Sequence, residues 1–199
     1  TIAIIREILS GSNYRQQDRL YEILAQLKSR LQMGMSSAGH SISAMRAMSY
    51  FSVSGKYSDM TEGIEFYQLI KDLEEHFEEK KEELSKNLET LAGYMFRKDN
   101  LMISAGAQKE GLELLEKEIP TVKTILHEKT SDVKAEPVQL EKKNDGFMDA
   151  SQVQYVSRAG NFKKAGYEYT GALRILKVLL SYDYLWINVR VKGGAYGCM

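Results

Sequence analysis

Residues 61–96 read TEGIEFYQLIKDLEEHFEEKKEELSKNLETLAGYMF. Apolar residues recur there at helical spacing, through Ile64, Tyr67, Leu69, Ile70 and Leu73, then through Leu84, Leu88, Leu91 and Met95. Such spacing draws an apolar stripe along a helix face. Lys and Glu alternate in blocks over residues 71–89. Pairs of this kind contribute only ~0.2–0.5 kcal/mol each, so the stretch predicts the solvated outer face of two helices rather than a partner surface. Upstream, Leu20, Ile23, Leu24, Leu27 and Leu31 predict a helix over residues 15–31. Gly34 interrupts that pattern, Ser36 and Ser37 offer a cap, and a second helix is expected over residues 38–48 through Ile42, Met45 and Met48. Residues 52–59 are polar, contain Gly55 and read as a loop.

Downstream, Lys98-Asp99-Asn100 is a turn signal and residues 101–107 have the short apolar pattern of a strand. Residues 111–127 are helical in period, with Pro120 expected to kink or restart the helix. Composition then shifts. Residues 130–146 are rich in Lys, Glu, Asp and Ser and read as a linker that runs into an edge strand. A short strand over 152–157 and a turn at Gly160-Asn161 follow. A helix then opens near Thr170; Leu173, Leu176, Val178, Leu179 and Leu180 make it apolar almost all round, which predicts burial. Residues 187–192 alternate apolar and polar, a strand pattern taken alone, yet no breaker separates them from the helix before Gly193-Gly194.

The chain of 199 residues has 27 basic and 27 acidic side chains and no net charge. A broad basic surface for nucleic acid is thereby excluded. No apolar run is long enough to span a membrane. Cys198 is the single cysteine, which fits a reducing, cytoplasmic compartment and rules out an intramolecular disulfide framework. The chain opens on TIAII without a signal-like leader and stops on GCM after a Gly-rich apolar segment, the pattern expected of a piece of a longer protein.

Metal-ligand spacing is missing. The histidines are His40, His76 and His127, and His127-Glu128-Lys129-Thr130-Ser131 has serine where a zinc-binding helix needs its second histidine. No inverted HxxEH pattern occurs, so no metal site is expected within this chain. There is no nucleophile elbow, Walker loop or dinucleotide fingerprint, and Cys198 reads as a buried structural thiol. What remains is Arg190 and Tyr196, six apart around two glycines. An arginine offers a planar donor fork for a carbonyl or carboxylate, and a tyrosine hydroxyl can donate to a developing oxyanion. Gly193 and Gly194 permit close approach of a substrate backbone. On these residues alone, a structural turn explains the pattern as well as a site does.

A longer pattern adds to this. Gly160-Asn161-Phe162, Tyr169-Thr170-Gly171-Ala172-Leu173, the run from Leu179 to Trp186 and Val189-Arg190-Val191-Lys192-Gly193-Gly194-Ala195-Tyr196-Gly197 resemble the C-terminal half of inverzincin metallopeptidases. The branch is that of the presequence proteases and falcilysin, related to insulysin and pitrilysin. Gly39-His40-Ser41 and Arg46-Ala47-Met48-Ser49 are similar to the third domain of that branch. The resemblance implies an α+β fold: a helix-rich fragment spanning parts of two metallopeptidase-like sandwich repeats, with residues 1–131 in the third domain and 132–199 a linker and the start of the fourth. It implies a helix through Trp186 to about Arg190 and a strand from near Ala195. The parent would be a zinc-dependent endopeptidase acting on peptides or unfolded polypeptide in a closed chamber. Zinc would be bound by an N-terminal half outside this chain, leaving the fragment alone inactive. Arg190 and Tyr196 carry over as residues that bind the substrate carbonyl and oxyanion, with Gly193, Gly194 and Ala195 lining the substrate. The N-terminal half and the peptide are the expected partners, with self-association where the fourth domain is cut. A helical scaffold or an inactive metallopeptidase homologue is the competing reading, supported by the helical, charge-dense first half.

Overall fold

The computed structural model describes residues 2–128, 136–150 and 152–198. The chain divides into two compact units, Thr1–Ser157 and Arg158–Met199. The expected boundary between residues 131 and 132 lies outside the described residues.

The first unit is built from α1 (Ile2–Gly11), α2 (Gln17–Ser37), α3 (Gly39–Ser49), α4 (Val53–Glu62), α5 (Ile64–Glu75), α6 (Phe77–Met95) and α7 (Lys109–Lys123). Its core forms where α2 crosses α5 and α6. Leu24, Ile70 and Phe77 are buried there, with Leu20, Leu27, Leu31, Phe66, Leu73 and Leu84 packed around them. Most of these are residues of the helical stripes. The Tyr21 and Phe77 rings meet at 5.2 Å and 56°, a tilted pair that adds to area burial. Away from this stripe the charges pair in solvent: Lys71 with Glu75, Lys80 with Asp72, Lys81 with Glu78. The hydrogen bond from Lys80 holds the Asp72 carboxyl below its ordinary value.

Glycine breaks the chain in other places than its spacing predicts. Gly34 lies inside α2, which runs on to Ser37. The expected loop over 52–59 is instead α4. Ser52 caps it by accepting the Gly55 N–H at 3.0 Å, and a Cβ on Gly55 would stand 2.7 Å from the Met48 carbonyl oxygen. Gly55 is thus a contact glycine in a first turn. The break between α4 and α5 falls at Gly63, where a Cβ would collide with Asp59 Oδ1. Pro120 sits in the last turn of one helix, α7, rather than dividing two.

No strand occurs among the described residues, so the expected α+β sandwich is corrected to a helical fold. Residues 101–107 are irregular, and the described part of 152–157 bends and then extends. Neither run finds a neighbouring strand, and an apolar run without a ladder partner leaves its backbone unpaired. The described part of 130–146 likewise holds no edge strand. Outside the helices one parallel bridge joins Arg97 and His127, through Lys98 N–H to His127 O at 3.0 Å and His127 N–H to Phe96 O at 2.8 Å.

A buried ion pair ties the remaining helices together. Asp59 on α4 is fully buried; its Oδ2 accepts from Arg46 of α3 at 2.5 Å, and its Oδ1 accepts the Ile64 N–H that opens α5 at 3.0 Å. Arg46 reaches the other way to Asp145 at 3.0 Å and lies over the rings of Tyr50 and Phe147, 5.1 and 5.6 Å from their centroids. Burial works against the Arg46 charge, but hydrogen bonds to Asp59 and Asp145 more than reverse that and hold its pKa above the ordinary value. Burial, with the hydrogen bond to Asp145, pushes the Tyr50 hydroxyl up to about 12. The segment beyond Asp145 stays on the helices: Asp149 accepts from Ser36 at 3.1 Å, Tyr155 packs on Gly39, and Ser157 bonds Ser43 at 2.8 Å.

In the second unit, Asn161 Oδ1 accepts the Lys163 and Lys164 N–H groups at 3.1 and 3.3 Å and shapes a turn. Then α8 (Ala172–Leu179) continues without a break as a π-helix, Leu180–Val191. The expectation of burial is corrected. Ile175, Leu176, Val178, Leu179, Leu180, Tyr182 and Val191 are all exposed, because this unit supplies no second layer. Among the described residues no helix is long and apolar enough to cross a membrane.

Removing the arginine tests the ion pair. Arg46→Met leaves Asp59 buried without its cation, and about 3–5 kcal/mol should be lost, lowering the melting temperature by roughly 6–20 °C. Asp59→Asn should cost less, since its amide oxygen still accepts from Ile64 and Arg46 keeps Asp145. Thermal melts of both variants that match the unsubstituted chain would show the pair to be dispensable.

Candidate functional site

The stretch carrying Arg190 and Tyr196 is a helix end. The helix runs through Trp186 and Arg190 to Val191, as the resemblance implied and against the strand-like alternation of 187–192. Its last turns are wide: the Lys192 N–H reaches the Ile187 carbonyl, an i→i−5 bond, at 3.0 Å. Two side chains occupy carbonyls that an α-helix would use. Ser181 Oγ donates to Lys177 O at 2.8 Å, and Asn188 Nδ2 to Tyr184 O at 2.8 Å. Such back-bonding competes with the regular ladder.

The two glycines end the helix for separate reasons. A Cβ at Gly193 would stand 2.6 Å from the Val189 carbonyl oxygen, so the close-packed turn itself excludes any larger residue. Gly194 has φ +73°, the left-handed conformation that closes many helices. Its N–H bonds the Arg190 carbonyl at 2.9 Å, and the Ala195 N–H bonds the Val189 carbonyl at 3.2 Å. The turn therefore grips the backbone of Arg190 itself. No strand begins at Ala195 among the described residues; the chain there bends.

Each candidate side chain stands in solvent. Tyr196 is 91 % exposed, with its ring and hydroxyl presented beyond the turn. The guanidinium of Arg190 lies 4.1 Å over the centroid of the Trp186 ring. Sequence reasoning passes over Trp186, although a Trp–Arg pair at i,i+4 is a readable signal. It also treats Arg46 only as part of a similar stretch; nothing in its local pattern announces partners at Asp59 and Asp145. Cys198 is half-buried rather than buried. The histidines are exposed on separate elements, and among the described residues no three His, Cys, Asp or Glu side chains converge as ligands of a metal ion. The donor set of the described residues therefore does not fit a resident zinc.

Comparison with known proteins agrees with this region and with the first helices. A family model described as peptidase-associated matches residues 1–73, and one described as "PreP C-terminal domain" matches residues 144–199. Protein HypA of Clostridium perfringens is 32 % identical over 98 % of this chain and 20 % of its own length. Presequence protease 1, chloroplastic/mitochondrial, of Arabidopsis thaliana is 27 % identical over 96 % of the chain and 18 % of its own. Presequence protease, mitochondrial, of Drosophila melanogaster is 24 % identical over 98 % and 19 %. The chain thus spans about a fifth of the length of these curated relatives. It belongs to the presequence protease branch of the pitrilysin-type peptidases, as a segment of their C-terminal region.

The glycine geometry sets a stability expectation. Gly194→Ala forces a Cβ into the left-handed conformation at a cost of about 1–2 kcal/mol, and Gly193→Ala must push the Val189 carbonyl aside. Both should fray the helix end, seen as faster amide exchange at residues 190–195. Protection equal to that of the unsubstituted chain would show that the turn does not need its glycines.

Proposed function

We propose that the chain is a substrate-enclosing part of a zinc-dependent metalloendopeptidase that degrades peptides or unfolded polypeptide in a closed chamber. The domains read best as residues 1–131 in a third domain and 132–199 as a linker and the beginning of a fourth, each belonging to an α+β sandwich repeat completed by chain outside this segment. The observation that carries the reading is the helix end: one short, glycine-shaped turn presents a stacked arginine fork and, six residues on, an exposed tyrosine hydroxyl. Arg190 would hydrogen-bond the carbonyl of a bound peptide through two in-plane N–H groups. Tyr196 would donate its hydroxyl proton to the same oxygen as negative charge builds on it. The backbone of residues 193–195 would let an extended peptide lie close. Zinc ligands lie outside this chain, in an N-terminal half of the parent. The chain alone would hydrolyse nothing. Two relatives carry organellar names; for this chain, with its single cysteine, a cytoplasmic location is our reading.

Tyr196→Phe in the full-length parent removes one donor and keeps the ring. If the hydroxyl stabilises an oxyanion, kcat should fall roughly 10²–10³-fold, about 3–4 kcal/mol, while KM changes less. The exposure of Tyr196 means the melting temperature should hardly move. A kcat within about threefold of the parent, measured on the same sample as an unchanged melt, refutes the assigned role and favours a scaffold.

Self-association of the isolated chain follows from the uncovered apolar surface of α8 and the π-helix. Sedimentation should show dimers or larger species. A monomer across a wide range of concentration would mean that Leu176, Leu179 and Leu180 tolerate water without cover.

A further inference from the structure

The geometry points to Trp186 as a positioning residue for Arg190, an inference that rests on the substrate-binding reading of Arg190. The guanidinium carbon lies 4.1 Å over the indole centroid, well inside the range of a cation–π contact. Both residues stand on the π-helix Leu180–Val191, where an i→i+5 turn brings residues four apart to about the same side of the axis. The face of an indole, rather than a carboxylate, holds this guanidinium. The difference has a chemical consequence. A carboxylate would consume the N–H donors of the fork, whereas stacking uses the face of the guanidinium and leaves its in-plane donors free. The backbone below is fixed as well, since the Gly194 N–H holds the Arg190 carbonyl at 2.9 Å. A long side chain that otherwise samples many rotamers is so restricted at both ends while its donors stay open. Trp186 is 41 % exposed and is the single tryptophan of the chain, so its ring contributes a face to the surface beside Arg190 and does not serve mainly as core.

The test uses the full-length enzyme and an unfolded peptide substrate, with steady-state kinetics and a thermal melt for each variant. Trp186→Leu keeps apolar bulk and removes the π face; kcat/KM should fall about two- to fivefold, the size of an exposed cation–π contact. Trp186→Phe keeps a face and should restore most of that loss. In an Arg190→Met background, Trp186→Leu should have no further effect, because the residue it positions is gone. Should Trp186→Leu not be recovered folded, Trp186→Met carries the same comparison. Additive losses in the double variant, no rescue by Phe, or an unchanged kcat/KM for Trp186→Leu each overturn the positioning role while leaving Arg190 as a substrate ligand. An Arg190→Met variant with unaltered kcat/KM removes the underlying reading itself, and the positioning role with it.

Discussion

The buried carboxylate of Asp59 is the constraint around which the first unit is arranged. A carboxylate without water must be met by a cation and by hydrogen-bond donors, or its desolvation would cost several kcal/mol. Arg46 supplies the cation and the first N–H of α5 supplies a donor, so α3, α4 and α5 cannot slide on one another without breaking one bond or the other. Gly63 is part of the same arrangement: only a residue without Cβ lets the chain turn against Asp59. The guanidinium is shared. Its remaining N–H groups take Asp145, and its faces take Tyr50 and Phe147. A segment some hundred residues away along the chain (145 against 46) is thereby fixed to the same node.

The helices are legible in sequence where burial follows a period. Leu20, Leu24, Leu27 and Leu31, or Ile70 and Leu73, lie on one face because that face meets the core, and the stripe records it. Legibility fails where a residue answers to a distant neighbour. Gly55 and Gly63 look alike as breakers, yet one sits inside a helix against the Met48 carbonyl and the other ends one against Asp59. The strand-like run 101–107 shows the opposite failure. Its pattern is compatible with a strand, but a strand exists only by pairing, and its pairing partner is not a local property. Arg46 and Asp145 are of this kind too, since charge matching across 99 positions leaves no local pattern.

Arg190 and Tyr196 stand out through a resemblance to a family, not through spacing, and the structure explains why spacing is insufficient. Gly193 and Gly194 are required by a helix end alone, one for room and one for its left-handed backbone. A glycine pair that a fold already needs cannot by itself announce a site. What distinguishes this turn from an ordinary cap is the treatment of its neighbours. Arg190 is stacked rather than ion-paired, and Tyr196 is held out in water, an arrangement that adds nothing to the packing of the unit and leaves donors unspent.

The helix bearing Arg190 is also the one whose apolar surface is uncovered, and in the proposed parent these two features reinforce each other. Leu176, Leu179 and Ile187 do not find a second layer in their own unit. Any layer that covers them removes water from one side of the helix that also carries Trp186 and Arg190. Electrostatic attraction strengthens as the local dielectric falls. The guanidinium–indole stack and the bond from a tyrosine hydroxyl to an oxyanion both rest on such attraction, and both are weak while exposed. Covering the helix would then stabilise the fold and sharpen the site through one change of environment. A donor turn placed at the end of an otherwise apolar helix suits a chamber that forms only when its halves meet, since the same residues are nearly inert in open water.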